Sequence, residues 1–84
     1  MRHFASPEFW RAYENLPDHV RAVADRNYTL LKENPQHPSL HFKKVGRYRS
    51  VRVGRGYRAL AIEVDKGLLW FWIGTHARYD ELIG

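Results

Sequence analysis

The sequence predicts an α+β fold: an N-terminal helical hairpin packed on a four-stranded, mainly antiparallel sheet, followed by a short C-terminal helix. Three observations lead there. Apolar residues recur at helical spacing as far as Glu33. After Pro38 the pattern changes to short runs rich in β-branched and aromatic residues, parted by glycines. Finally, 84 residues with 44% hydrophobic and 14% aromatic content suffice for one core and not for two, so residues 1–84 are expected to form a single domain.

The first helix starts at Ser6-Pro7. Ser6 is suited to the N-cap, and Pro7 to the first helical position, where its missing N–H costs nothing. Phe9, Trp10 and Tyr13 then fall on adjoining positions of a helix over about 7–15. Leu16-Pro17-Asp18 restarts the pattern, and Val20, Val23, Asn27, Leu30 and Leu31 give a second helix over about 18–33. Asn34-Pro35 and His37-Pro38 end it.

Four strands follow, over 40–45, 48–53, 57–64 and 68–73, joined at Gly46, Gly54/Gly56 and Asp65-Lys66-Gly67. Connections this short favour an antiparallel meander. Leu68 to Ile73 is apolar on both faces and is expected at the centre of the sheet, with its large aromatics, like Phe9 and Trp10, serving the core. Gly74-Thr75-His76 turns into one or two helical turns over 77–83.

Composition excludes several classes of function. There is no cysteine, hence no disulfide framework, thiolate metal site or cysteine nucleophile. The longest apolar run, Gly67 to Gly74, is too short to span a bilayer, and Met1 to Pro7 has no signal-peptide core. A cytoplasmic protein without membrane contact is expected. His37 and His41 form no spaced ligand set with a carboxylate, so neither a metal nor a small-molecule cofactor is expected.

Charge is segregated. The net charge is +5. Residues 1–33 are neutral, with five basic residues against five acids. Residues 34–62 contain Lys43, Lys44, Arg47, Arg49, Arg52, Arg55 and Arg58 and no Asp or Glu. One sign of charge on one stretch is the footprint of a surface that binds a polyanion, most commonly nucleic acid; an acidic protein partner is the other occupant it would suit. Lys43, Lys44, Arg47, Arg49 and Arg55, with the adjacent His41, are therefore candidate RNA-binding residues.

Element order and the runs Val45 to Gly54 and Gly56 to Leu60 resemble the RelE/ParE superfamily of bacterial toxins, whose signature reads "yRiRvGdyRvly". Ile73-Gly74-Thr75-His76 is similar to the Gly-Thr-His turn of the YafQ branch, where the histidine belongs to the active site. The resemblance covers about residues 6–83. It implies a type II toxin–antitoxin toxin, a ribosome-dependent endoribonuclease that cleaves mRNA, with the ribosome, mRNA and a cognate antitoxin as partners. It also leaves two other readings open: a gyrase-poisoning toxin of the ParE kind, and a non-catalytic RNA- or protein-binding member. The family's first strand precedes the helices. Here only Arg2 to Ala5 is available for it, and a vestigial strand is expected.

Metal-free RNA cleavage needs a base for the 2′-hydroxyl, a donor for the departing 5′-oxygen and cations on the phosphate. Arg52 and Arg58 match basic family positions on neighbouring strands and are candidate phosphate clamps. Arg58 heads an otherwise apolar row with Leu60, Ile62 and Val64, so it is expected to reach past the core toward a cleft. Its partner there would be a scissile phosphate, Glu63 or Asp80. His76 is the candidate for proton transfer, since an ordinary imidazole titrates at roughly 6.5. Tyr79, one helical turn on, would stack on a base or bond a phosphate oxygen. Where some family members carry a catalytic lysine, this chain has Ser50.

Overall fold

The computed structural model describes residues Arg2–Gly84. In chain order the elements are β1 (Arg2–Ala5), α1 (Pro7–Glu14), α2 (Asp18–Glu33), a 3-10 turn (Pro38–Leu40), β2 (Lys43–Val45), β3 (Tyr48–Val53), β4 (Tyr57–Val64), β5 (Gly67–Thr75) and α3 (His76–Ile83). Two of the three helices start at a side-chain cap, while α2 begins after Pro17 without one. The Ser6 hydroxyl accepts from the Phe9 N–H at 3.2 Å with Pro7 at the first helical position, and Thr75 caps α3 by accepting from the Arg78 N–H at 3.2 Å.

The sheet has five strands, in the order β1-β5-β4-β3-β2, one more than expected. Arg2–Ala5 is not vestigial: it lies parallel to β5, with Arg2 opposite Gly67 and Ala5 opposite Trp70. The other pairings are antiparallel, as the short turns predict. Gly67 makes the parallel contact possible. At φ 153° a Cβ there would run into the Arg2 carbonyl, so only glycine lets the two backbones meet. The added edge strand also moves the centre of the sheet to β4. β5 is interior but off-centre, between β1 and β4.

One sheet face carries the helices. Leu16, Val20, Leu31, Val51, Val53, Ala59, Ala61, Leu68, Trp70 and Ile73 form its core, each buried large side chain contributing ~1.5–3 kcal/mol. α1 packs on β5 and α2 on β3, so the hairpin straddles the sheet. Tyr13 Oη donates to Asp25 Oδ1 at 2.6 Å between the helices, and a cavity of about 260 Å³ opens there. Not all the aromatics expected in the core reach it. α1 has no buried residue, and Trp10 is 50% exposed.

The second face explains why β5 is apolar on both sides. Tyr48 packs on Phe71 with ring centroids 5.7 Å apart, Leu60 is 1% exposed, and Trp72 lies against Gly74, where a Cβ would meet its indole at 2.6 Å. A bulge at Leu60/Ala61 sets Leu60 opposite Trp72 and Ala61 opposite Trp70. Phe71 is thereby skipped in the register, which bends β5.

β1 is also fastened by a side chain. Trp70 Nε1 donates to His3 Nδ1 at 3.0 Å, which requires a neutral ring carrying its proton on Nε2. Burial, then nearby positive charge including Lys32, pushes His3 below its ordinary 6.5. The unfolded chain therefore takes up the proton first as pH falls. This contribution to stability is present above about 6.5 and is lost as pH drops from there toward the lower folded-state value. Urea midpoints measured from pH 7.5 to 5 should fall, and His3→Phe should flatten that dependence; an unchanged slope in the variant would exclude His3 as its source.

Candidate active site

The site is built on the sheet face opposite α1 and α2. In the β3–β4 register Arg52 stands opposite Arg58 and Ser50 opposite Leu60, so all four point to the same side. Lys43 pairs with Ser50 and joins them.

Arg58 does not reach into an open cleft. It is 4% exposed, and its Nε and Nη2 donate to Ser50 Oγ at 2.9 and 2.7 Å. Nη2 also donates to the His41 carbonyl at 3.2 Å. The Tyr79 ring lies over the guanidinium, with Cζ 5.0 Å from its centroid. Neither acid expected as a partner pairs with it: Glu63 binds Arg49, and Asp80 Oδ1 lies 3.5 Å from His76 Nε2. Among the described residues no carboxylate lies within salt-bridge distance of Arg58.

A cation buried without an anion is costly. Burial accordingly pulls Arg58 below its ordinary value; Tyr79 pulls the other way, Arg52 adds to the depression, and Asp80 opposes it. What holds the charge is a hydroxyl, a carbonyl and an aromatic face. Nη1 makes no hydrogen bond among the described residues.

His41 contributes differently than expected. It adopts φ 42°, a left-handed conformation unusual outside glycine, as the C-cap of the Pro38–Leu40 turn. That conformation accompanies a backbone carbonyl turned onto Arg58, whereas the imidazole had been the candidate. Strain of this kind persists where the surroundings over-determine it.

His76 is the first residue of α3. It continues directly from β5, with no intervening turn, and its backbone N–H donates to the Gly56 carbonyl at 2.8 Å. The β3–β4 turn that carries Arg55 is thereby tied to the start of α3. The His76 side chain is 52% exposed, and its ring lies 5.5 Å from that of Tyr79. Tyr79 is 3% exposed, and its hydroxyl is buried without a hydrogen-bond partner among the described residues. Tyr79 therefore touches both the buried cation and the exposed imidazole. The arrangement brings together a buried positive charge, a second arginine across the strand and an exposed imidazole beside Tyr79.

The expected basic surface is divided. Period-2 alternation puts Lys44 opposite Arg49 on the helix side of the sheet, where Arg49 is engaged by Glu63. Arg47 lies in the β2–β3 turn, at the end of the sheet away from His76. Lys43, Arg52 and Arg58 share the sheet face opposite the helices, and Arg55 lies in the β3–β4 turn tied to His76. Ser50 and the His41 carbonyl are the members sequence reasoning missed as parts of the site. Strand parity already set Ser50 beside Arg52; nothing local signalled the carbonyl.

A family model described as ParE-like toxin domain matches residues 18–81. No curated protein sequence is significantly similar. Among solved structures the chain is similar to one of the RelB-RelE antitoxin-toxin complex from Methanococcus jannaschii, with a TM-score of 0.73, 14% identity, and 96% of this chain and 99% of that one covered. It is also similar to the isolated RelE toxin of E. coli (TM-score 0.63, 11% identity, 95% and 93% covered). A third likeness is to a copper-bound mutant toxin from Helicobacter pylori (TM-score 0.62, 17% identity, 93% and 97% covered).

Proposed function

Because the chain belongs to the ParE-like toxin domain family and has the RelE fold, we propose that it is the toxin of a type II toxin–antitoxin pair, acting within residues 1–84 as a metal-independent, ribosome-dependent mRNA endoribonuclease. The observation that carries this reading is Arg58, a buried cation with no carboxylate partner among the described residues. Such a charge is complete only when an anion arrives, and a scissile phosphate beside an exposed imidazole fits it.

In the reaction the 2′-oxygen attacks the adjacent phosphorus and the bond from phosphorus to the 5′-oxygen breaks, giving a 2′,3′-cyclic phosphate and a 5′-hydroxyl. Arg58 and Arg52 stabilise the charge that accumulates on the phosphate. His76 moves a proton at the scissile group, and the Tyr79 ring, which lies over the Arg58 guanidinium, holds that cation in place for the phosphate. Purified chain added to programmed ribosomes should cut mRNA at discrete positions; intact message under these conditions would overturn the reading.

RNA phosphates would meet the sheet face that carries Arg58, so the two β2 lysines should behave differently. Lys43→Ala should reduce the slope of log affinity against log salt for ribosome binding by about 1, and Lys44→Ala should leave it unchanged. Equal effects would mean that the RNA does not discriminate between the faces. A cognate antitoxin is the expected protein partner, since an unpartnered basic toxin needs restraint. Co-expression with the adjacent gene product should yield a complex that survives moderate salt.

A second reading has two observations in its favour. The matching family model is ParE-like, and Ser50 stands where some RelE members carry a catalytic lysine. A gyrase-directed toxin without catalysis would keep the fold and dispense with proton transfer at His76.

A further inference from the structure

Ser50 is 0% exposed, so it cannot touch a substrate. A hydroxyl is also neither a cation nor a useful base near neutrality, so it does not replace a lysine. Yet its oxygen is the acceptor for two Arg58 donors at 2.9 and 2.7 Å, which occupies both lone pairs. The His41 carbonyl takes a further Nη2 proton at 3.2 Å. An arginine fork is planar and carries five N–H donors. Fixing Nε and Nη2 therefore fixes the plane and leaves Nη1 as the donor with no hydrogen bond among the described residues.

We propose that Ser50 is the positioning residue for Arg58: it holds one edge of the guanidinium so that the other edge is presented, in a single orientation, to an incoming phosphate. The proposal rests on the phosphate-clamp reading given above. It also gives a physical reason for a small residue here. A lysine at position 50 would bring a second cation against a buried one that has no carboxylate beside it among the described residues, whereas a serine supplies the acceptor that the buried arginine needs. The Tyr79 ring over the guanidinium face restrains the same plane from above.

The test separates orientation from activity. The Arg58 Nε–Hε resonance in an ¹⁵N-labelled chain reports directly on the bond to Ser50. In the wild type it should be resolved and should exchange slowly with solvent. In Ser50→Ala, and in Ser50→Cys, which keeps the size but is a weak acceptor, it should exchange fast. Ser50→Thr, which restores the hydroxyl, should recover it.

On programmed ribosomes the alanine and cysteine variants should lose kcat on the order of 10²-fold with KM within about twofold, because a misplaced charge costs more in the transition state than in binding, and the threonine variant should regain most of that loss. Urea midpoints identify any variant that is merely unfolded, and the cysteine variant guards against a cavity effect in the alanine. A slowly exchanging Hε in folded Ser50→Ala and Ser50→Cys, or an unchanged kcat in both, would overturn the proposal. Were the wild type itself not to cleave, the nuclease reading would fail, and the resonance alone would still decide whether Ser50 orients Arg58.

Discussion

Arg58→Lys is expected to lower mRNA cleavage on programmed ribosomes by about 10²–10³-fold, the scale of losing one preorganised charge-stabilising donor. Lysine keeps the positive charge but ends in a single ammonium. It cannot satisfy Ser50 Oγ and the His41 carbonyl, which now take Nε and Nη2, and also offer a planar edge to phosphate. Arg58→Met separates charge from packing. It relieves the buried cation, which favours folding, but leaves the Ser50 and His41 oxygens without donors at about 1–3 kcal/mol. These effects oppose each other, so unfolding free energy should change by less than about 2 kcal/mol while cleavage is lost. Urea denaturation beside the cleavage assay reads both quantities. A lysine variant that cleaves at the wild-type rate would mean that position 58 needs only a charge, and the clamp would be wrong.

The fold was legible wherever local chemistry decides it. Ser6-Pro7 marks the start of α1 through capping alone, and the turn glycines parted β2, β3 and β4 at the expected places. β1 was harder. A four-residue parallel edge strand has no turn signal and little periodicity, and what admits it is Gly67, more than sixty residues away in sequence. The site divides in the same way. Alternation along β4 set Arg58 among Leu60 and Ile62, and the Gly74-Thr75 stretch set His76 at the end of β5. The same alternation should have separated Lys43 from Lys44, since a stretch free of acids is not a face until the pleat sorts its members. That Arg58 would be covered by Tyr79 and held by a backbone carbonyl depended on three segments meeting, which no single stretch records.

His76→Ala is expected to reduce cleavage by about 10²–10⁴-fold, the usual contribution of a positioned proton-transfer group, with ribosome binding nearly intact. The side chain is 52% exposed and fills no core, so its loss should not change the unfolding free energy by more than about 0.5 kcal/mol. Its backbone N–H, which ties α3 to Gly56, is unaffected by the substitution. The decisive readout is the pH profile between 5 and 9. A group that gives or takes a proton in the rate-limiting step imposes a limb on the profile, and that limb should vanish in the variant while any limb set by other groups remains. If His76→Ala cleaved at the wild-type rate with the same profile, the imidazole would be a helix-start residue without chemistry. Growth arrest that persisted in that variant together with impaired supercoiling would then favour the gyrase-directed reading, because a toxin that works by contact alone has no need of a titrating group at the rim of Arg58.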